Sequence, residues 1–425
     1  MQSSKSTKKQ TETKRKLYFS SCALMTVLGI ILLPVIAQSA EYNETYQKTL
    51  RDAGETDMIH GIRAGGFLFL PAMGLNTEYD DNIDNDKNDH TSDIITTATG
   101  SVSVKSNWNR HMIMAGTTQK KVKYKERKSR DFVSNSYFAQ ARYDVAKETE
   151  MNTSVSHSKS HLSRGTGADI DVTNPLDYWV DTATIGFSRT LGYIQFAVDG
   201  KQIISTILDK ARALTSDYEK KKTKSTGGVI SYVRSPGNAL YLRTNFSDNE
   251  YNLVNGTTRE TDLWNIRSGM EFSTGGLYSG GLFGRWQRRT DSSLDSADQF
   301  FSLGGNLQWN ITRLTSLRYS FDKNFSEGES SVSDTALLTS QQLVLSNSFT
   351  RLWDGSISLQ KDDYDYSVSG TPLEATLYIG KVESSYALTD SLDFNIGVSH
   401  QRKESDNKDS EYNSNSVYVS FTYVH

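Results

Sequence analysis

From Phe67 onward the chain alternates apolar and polar positions in runs of about ten residues, each ended by a turn. The closing run shows the rule. Val417, Val419, Phe421 and Tyr423 share one parity, and Tyr418, Ser420 and Thr422 share the other. Successive side chains of a strand point to opposite faces, so such a run makes a ribbon with one apolar and one polar side. In the first run Phe67, Phe69, Met73, Leu75 and Tyr79 take one face, and Ala72, Gly74, Asn76, Glu78 and Asp80 take the other. Similar runs cover roughly 92–105, 109–124, 135–146, 150–162, 177–189, 193–205, 226–234, 239–248, 260–272, 276–289, 299–310, 313–323, 337–350, 355–365, 374–387, 391–402 and 413–424. The pattern predicts about eighteen strands, within a range of 16–18.

The connections alternate in length. Short turns sit near Asn107, Glu148, Leu191, Pro236, Thr274, Ile311, Asp354 and Asp390. Longer polar stretches lie between them, near 81–91, 125–134, 163–176, 206–225, 249–259, 290–298, 324–336, 366–373 and 403–412. Outer-membrane barrels place short turns in the periplasm and long loops outside. A soluble β-sandwich or propeller would also bury one face, but it has no need of alternating connection lengths. Aromatic residues bracket several apolar runs: Trp264 and Phe272 flank Ile266 and Met270, Tyr278 and Trp286 flank Leu282, and Trp309 closes Phe301, Leu303 and Leu307. Amphipathic rings favour the headgroup boundary. The expected fold is therefore all-β: a transmembrane antiparallel up-and-down β-barrel, with both termini on the periplasmic side because the strand count is even.

Composition changes the picture in two ways. A mean hydropathy of −0.55 resembles that of a soluble protein, yet a barrel wall turns only every second residue to lipid. With 5 prolines in 425 residues, few backbone donors are lost from the strands. No stretch after residue 40 is long and apolar enough for a spanning helix. Before it, Lys14, Arg15 and Lys16 precede an apolar run from Cys22 to Ala37, interrupted by Pro34 and followed by small residues. This reads as a cleaved signal peptide over 1–40, with a periplasmic lead-in over 41–65 and the barrel over 66–425. Cleavage would remove the sole cysteine and leave 41 basic against 49 acidic residues, a net charge of −8. That balance argues against a nucleic-acid partner, which needs a basic surface. Outer-membrane lipid is the expected environment. The apolar end of the last run, Phe421 and Tyr423, resembles the C-terminal signal read by the barrel assembly machinery, although the chain finishes on His425.

The inward parity is where selectivity would be set. Arg243, Arg267, Arg285 and Arg318 fall on it, as do Lys121, Lys123 and Lys125, with Glu271, Asp322, Asp199, Glu78 and Asp393 as acidic neighbours. Arginine forks suit an anionic polymer or solute; an internal ion-pair network that braces the wall uses the same residues. Tyr241 and Tyr418 share this parity and could stack on sugar rings. The acidic stretch from Asp80 to Asp89 places Asp84, Asp86 and Asn88 like the first ligands of a calcium loop, but Asp89 stands where glycine is needed and Ile95 where glutamate is needed. A solvated loop is the expectation there. His157, Lys159 and His161 form an unusual outward trio near the rim, with too few ligands for zinc. No serine, histidine and acid set stands out, so no enzyme, cofactor or metal is expected.

Gly66-Phe67-Leu68-Phe69-Leu70-Pro71, then Glu78-Tyr79-Asp80-Asp81-Asn82-Ile83, and Ser106-Asn107-Trp108-Asn109-Arg110-His111 at the next turn, resemble the opening of a β-barrel porin family, the second so named. The resemblance in strand rhythm runs to the C-terminus. It implies a passage through the outer membrane for secreted exopolysaccharide, working with a periplasmic polysaccharide-export protein. A diffusion porin and a plugged structural barrel are the alternatives.

Overall fold

The computed structural model describes residues 61–162, 176–208, 218–292, 296–326, 336–366 and 373–424; the expected signal peptide and most of the lead-in lie outside these. Nineteen strands form one antiparallel sheet. They are β1 (Ile62–Ala64), β2 (Phe67–Asp80), β3 (Asp93–Ser106), β4 (Met112–Tyr124), β5 (Phe132–Ala146), β6 (Thr149–Leu162), β7 (Leu176–Leu191), β8 (Ile194–Ile207), β9 (Tyr218–Ser235) and β10 (Asn238–Leu253). There follow β11 (Thr258–Thr274), β12 (Tyr278–Asp291), β13 (Ser296–Asn310), β14 (Thr315–Ser326), β15 (Ala336–Ser348), β16 (Trp353–Asp365), β17 (Glu374–Thr389), β18 (Leu392–Ser405) and β19 (Tyr412–Val424).

Each of β2 to β19 pairs with its sequence neighbour, and β19 returns to β2, with Val424 opposite Ala72 and Ser416 opposite Asp80. Eighteen strands thus close an up-and-down barrel. β19 stops short of the lower end of β2, and there β1 takes its place, with Ile62 opposite Phe69 and Ala64 opposite Phe67. The end of the lead-in is therefore part of the wall.

The two faces separate as the alternation requires. Met73, Phe301 and Leu303 are 66%, 67% and 64% exposed and belong to the outer face. Register carries this face around the ring: Leu282 on β12 stands opposite Met270, and Trp286 stands opposite both Ile266 and Phe301. The inner face is polar over most of its height. At its long-connection end it holds an apolar cluster: Ala336, Tyr364, Tyr366, Ala375, Leu377 and Tyr412, against Leu338, Leu373 and Ile379.

The short turns use standard backbone chemistry. Between β9 and β10 the chain reverses through Pro236 and Gly237, and Gly237 has φ +76°. Proline followed by a residue of positive φ is the pattern of a type II turn, in which glycine is favoured. At the other end several strands run further than the alternation predicts. The expected run 226–234 extends from Tyr218 to Ser235, and 239–248 extends from Asn238 to Leu253. The added parts are largely polar: Lys220, Lys222 and Lys224 stand opposite Asn252, Glu250 and Asp248 on one face, and Lys221 stands opposite Tyr251 on the other. Above the lipid the outer face needs no apolar residues, so a strand there alternates less clearly.

Candidate functional site

The inward side chains of β9 to β12 build one basic wall. Arg243 on β10 lies directly opposite Arg267 on β11, and Arg267 lies opposite Arg285 on β12. Three guanidinium groups thus occupy one row across three adjacent strands. Like charges placed opposite each other destabilise a sheet, so the row stands only if something offsets it. Aromatic rings supply part of that: Arg267 lies over Phe283 at 4.6 Å and over Tyr241 at 5.7 Å, and Arg285 lies over Phe283 at 5.0 Å. The electron-rich ring faces attract the cations.

Carboxylates supply less. Arg285 Nη1 is 2.8 Å from Asp322 Oδ1 on β14. Among the described residues, Arg243 and Arg267 have no carboxylate within ion-pair distance, and Arg267 Nε is buried with no hydrogen-bond partner. Glu271 faces the lumen four residues along β11 from Arg267, opposite Ala239 and Gly281, and is exposed. Of the three, Arg285 is tied to a carboxylate; among the described residues Arg243 and Arg267 are not, and Asp199 and Glu271 act on Arg243 only from beyond ion-pair distance.

Two further arginines continue the wall toward the long-connection end. Arg289 is 1% exposed and donates to Asp291 Oδ2 at 2.9 Å, while its Nε and Nη1 have no partner. Arg259 donates from Nε to the same carboxylate at 2.9 Å. Neither was singled out from the sequence, although Arg289 keeps the parity of Arg285 and Arg259 that of Arg267. Parity alone would have found both.

Other expected inward residues end elsewhere. Arg318 does face the lumen, but near the short-turn end, where its Nη2 donates to Gln308 Oε1 at 2.8 Å; it does not join the row. Asp322 faces inward as the tie of Arg285. Lys121 and Lys123 must be corrected: they lie on the outer face. Lys121 stands opposite Ala98 and Val133, and Lys123 opposite Thr96. Ala98 stands opposite Leu75, which is on the exposed apolar side. The run from Thr117 to Lys121 is polar at every position, so its alternation does not choose a face. Ile113, on the parity of both lysines and exposed, does. Lys123 pairs with Asp131 beyond the strand end. Lys125 shares that parity and is exposed.

Tyr418 faces inward and donates to Glu383, with Lys381 over its ring at 5.2 Å. The outward trio also finds partners: His157 Nδ1 is 2.6 Å from Asp181, and Lys159 and His161 share Asp177 at 2.5 and 2.7 Å. In the acidic stretch after β2, Asp84 pairs with Arg130, and the buried Asn82 side chain donates to the carbonyls of Asp86 and Asn413. Among the described residues no group of three or more His, Cys, Asp or Glu could hold a metal ion.

Comparison with known proteins agrees with the barrel. The apoprotein form of the FrpB iron transporter from Neisseria meningitidis, F5-1 variant, superposes with a TM-score of 0.54 at 9% identity, over 82% of this chain and 63% of that one. OpdK of Pseudomonas aeruginosa, in complex with vanillate, gives a TM-score of 0.49 at 10% identity, over 84% of this chain and 99% of that one. The chain spans only 63–64% of the length of the FrpB chains it matches. At these identities the likeness concerns the fold alone. Among curated proteins no sequence matches. The model of one family, described as "Putative beta-barrel porin 2", matches residues 59–425. This chain is an outer-membrane β-barrel and belongs to that porin family.

Proposed function

We propose that this barrel is a passage through the outer membrane for an anionic, sugar-based polymer: secreted exopolysaccharide delivered by a periplasmic polysaccharide-export protein. The observation that carries the anionic part is the arginine row, in which Arg243 and Arg267 have no carboxylate partner while Arg285 does. Guanidinium forks match carboxylate and phosphate groups. Barrels of 16–18 strands leave room for an aqueous channel. The polymer and its periplasmic partner come from the family resemblance, and the row supplies the chemistry that would suit them. Passage is passive in this reading. Polar inner walls guide a chain pushed from the periplasm, and the row holds each anionic group weakly enough to release it.

Two measurements test the proposal. In planar bilayers, Arg243→Gln with Arg267→Gln should shift the permeability ratio several-fold toward cations. Unchanged selectivity would reduce both arginines to wall structure. In the producing cell, deleting the gene should stop polysaccharide secretion. Free conduction by the purified barrel, combined with intact secretion in the deletion strain, would sink the export role and leave a diffusion porin.

A further inference from the structure

The backbone ladder around this barrel has one pronounced gap. β12 and β13 pair over fourteen positions, and β14 and β15 over twelve. Between them, β13 and β14 pair over only six, from Asn310 opposite Ser316 to Gly305 opposite Phe321. Beyond that point residues 296–304 and 322–326 each keep their far neighbour and have no ladder toward each other.

The gap lies at membrane depth. Tyr278 and Trp286 mark the two ends of the apolar band on β12, eight residues apart, which is about 21 Å along the normal for a strand tilted about 40°. Gly305 stands opposite Leu282, midway in this band, and Phe301 stands opposite Trp286. The ladder therefore ends mid-band, and the gap opens toward the long-connection side. Backbone groups facing lipid without partners are costly, so the gap must be filled from the side chains or by another molecule.

Among the described residues, side chains cross it at few points. Arg285 reaches from β12 past β13 to β14, where Nη1 meets Asp322 and also donates to the Lys323 carbonyl at 3.0 Å. Ser302 Oγ donates to the same carbonyl at 3.1 Å. Higher up, Phe300 and Phe325 meet edge to face at 5.0 Å, and Phe325 is 7% exposed although its neighbours on that parity turn outward. Arg285 is 5% exposed, and its Nε is buried without a hydrogen-bond partner. On the lipid side, Phe301 and Leu303 are among the most exposed apolar side chains of the wall. The gap thus joins a buried cation with spare donor capacity to an apolar flank that faces acyl chains.

We propose that the β13–β14 gap is a binding cleft for an acyl chain with an anionic head. The head sits against Arg285 and Ser302, and the chain lies along Phe301, Leu303 and Phe325 between the two strand edges. A free fatty acid and a membrane phospholipid share this chemistry, and the test separates them. The inference does not depend on what crosses the lumen.

The experiment uses the full-length barrel in phosphatidylcholine vesicles, loaded in separate arms with palmitic acid or with phosphatidylglycerol, each carrying a photoreactive diazirine on its acyl chain. After irradiation the labelled peptides are mapped. Label concentrated several-fold over 296–305 and 321–326, relative to the rest of the outer wall, supports the cleft. The arm that produces it names the source as free acid or phospholipid. Label spread evenly around the wall in both arms overturns it. A neutral control, the corresponding diazirine-bearing alcohol, should show no preference for the gap; equal labelling by it would overturn the anionic head. Arg285→Gln should weaken labelling at the gap about tenfold, as loss of a charge-assisted hydrogen bond implies, and Arg285→Lys should restore part of it. If Arg285→Gln does not fold, the wild-type distribution and the alcohol control still decide.

Discussion

Gly269 sits directly beneath Arg267 on the inner face of β11. A Cβ there would meet the Leu282 carbonyl oxygen at 2.5 Å, Phe283 Cβ at 2.7 Å and Tyr241 Oη at 2.8 Å. The absence of a side chain is what lets two rings close on one guanidinium. Gly269→Ala should therefore destabilise the barrel by about 1–3 kcal/mol, the usual range for overpacking, and lower the temperature at which its unboiled gel band converts to the unfolded one. An unchanged conversion temperature would mean that the rings move aside at no cost. At this scale the sequence was legible where one parity stayed apolar: Arg243, Arg267 and Arg285 could be assigned to the lumen because Leu242, Ile266 and Leu282 fix the other side. It was not legible from Thr117 to Lys121, where both parities are polar, and Lys121 and Lys123 were assigned to the wrong face. Nor could parity reveal which arginine would be tied, because Asp322 reaches Arg285 from two strands away.

Among the elements, the connection from β2 to β3 is anchored to the one from β18 to β19. Glu411 accepts from Lys408 at 2.6 Å and from Lys87 at 2.5 Å, and these bonds, that to Lys408 first, lower its carboxyl from the usual 4.5 to about 2. A group depressed in the folded state contributes above its unfolded value and loses that contribution as pH falls through its folded value. The anchor should thus hold from neutral pH through the ordinary carboxylate range and release only as pH nears about 2. A carboxyl titration of the glutamate-labelled barrel by NMR checks this, and a midpoint near 4.5 would refute the two-lysine contact. The sequence suggested a solvated loop for this acidic stretch. What it could not supply was the partner, since Lys408, Glu411 and Asn413 lie more than three hundred residues away in the chain. The strand extensions of β9 and β10 were missed for a related reason: a largely polar ribbon carries no clear periodic signal, and what holds it are its backbone ladder and contacts between strands, such as Lys221 over the buried Tyr251.

For the molecule as a whole, even strand number and unequal connections predict an orientation. Residues 61 and 424 both lie at the end with the short turns, whereas Gly256, between β10 and β11, lies at the opposite end with nothing within 4 Å of its Cβ position. An epitope inserted at Gly256 should be reached by antibody on intact cells, and one appended after His425 only after the outer membrane is opened. The reverse result would invert the barrel. The unequal connections were legible early, because connection length needs no tertiary contact to be read. The gap between β13 and β14 was not: both strands have ordinary alternation, and only their pairing differs.

The short strand β1 has a mechanical consequence. It shares one edge of β2 with β19, and Ile62 and Val424 stand opposite positions only three residues apart, Phe69 and Ala72. That separation is about 10 Å along the strand. A linker of a few residues could therefore splice the two ends, and the resulting continuous hoop could be cut open at another short turn, such as the one at Gly192, without altering a strand pair. Its shape belongs to the order of neighbours around the circle, with no strand needed to serve as the first.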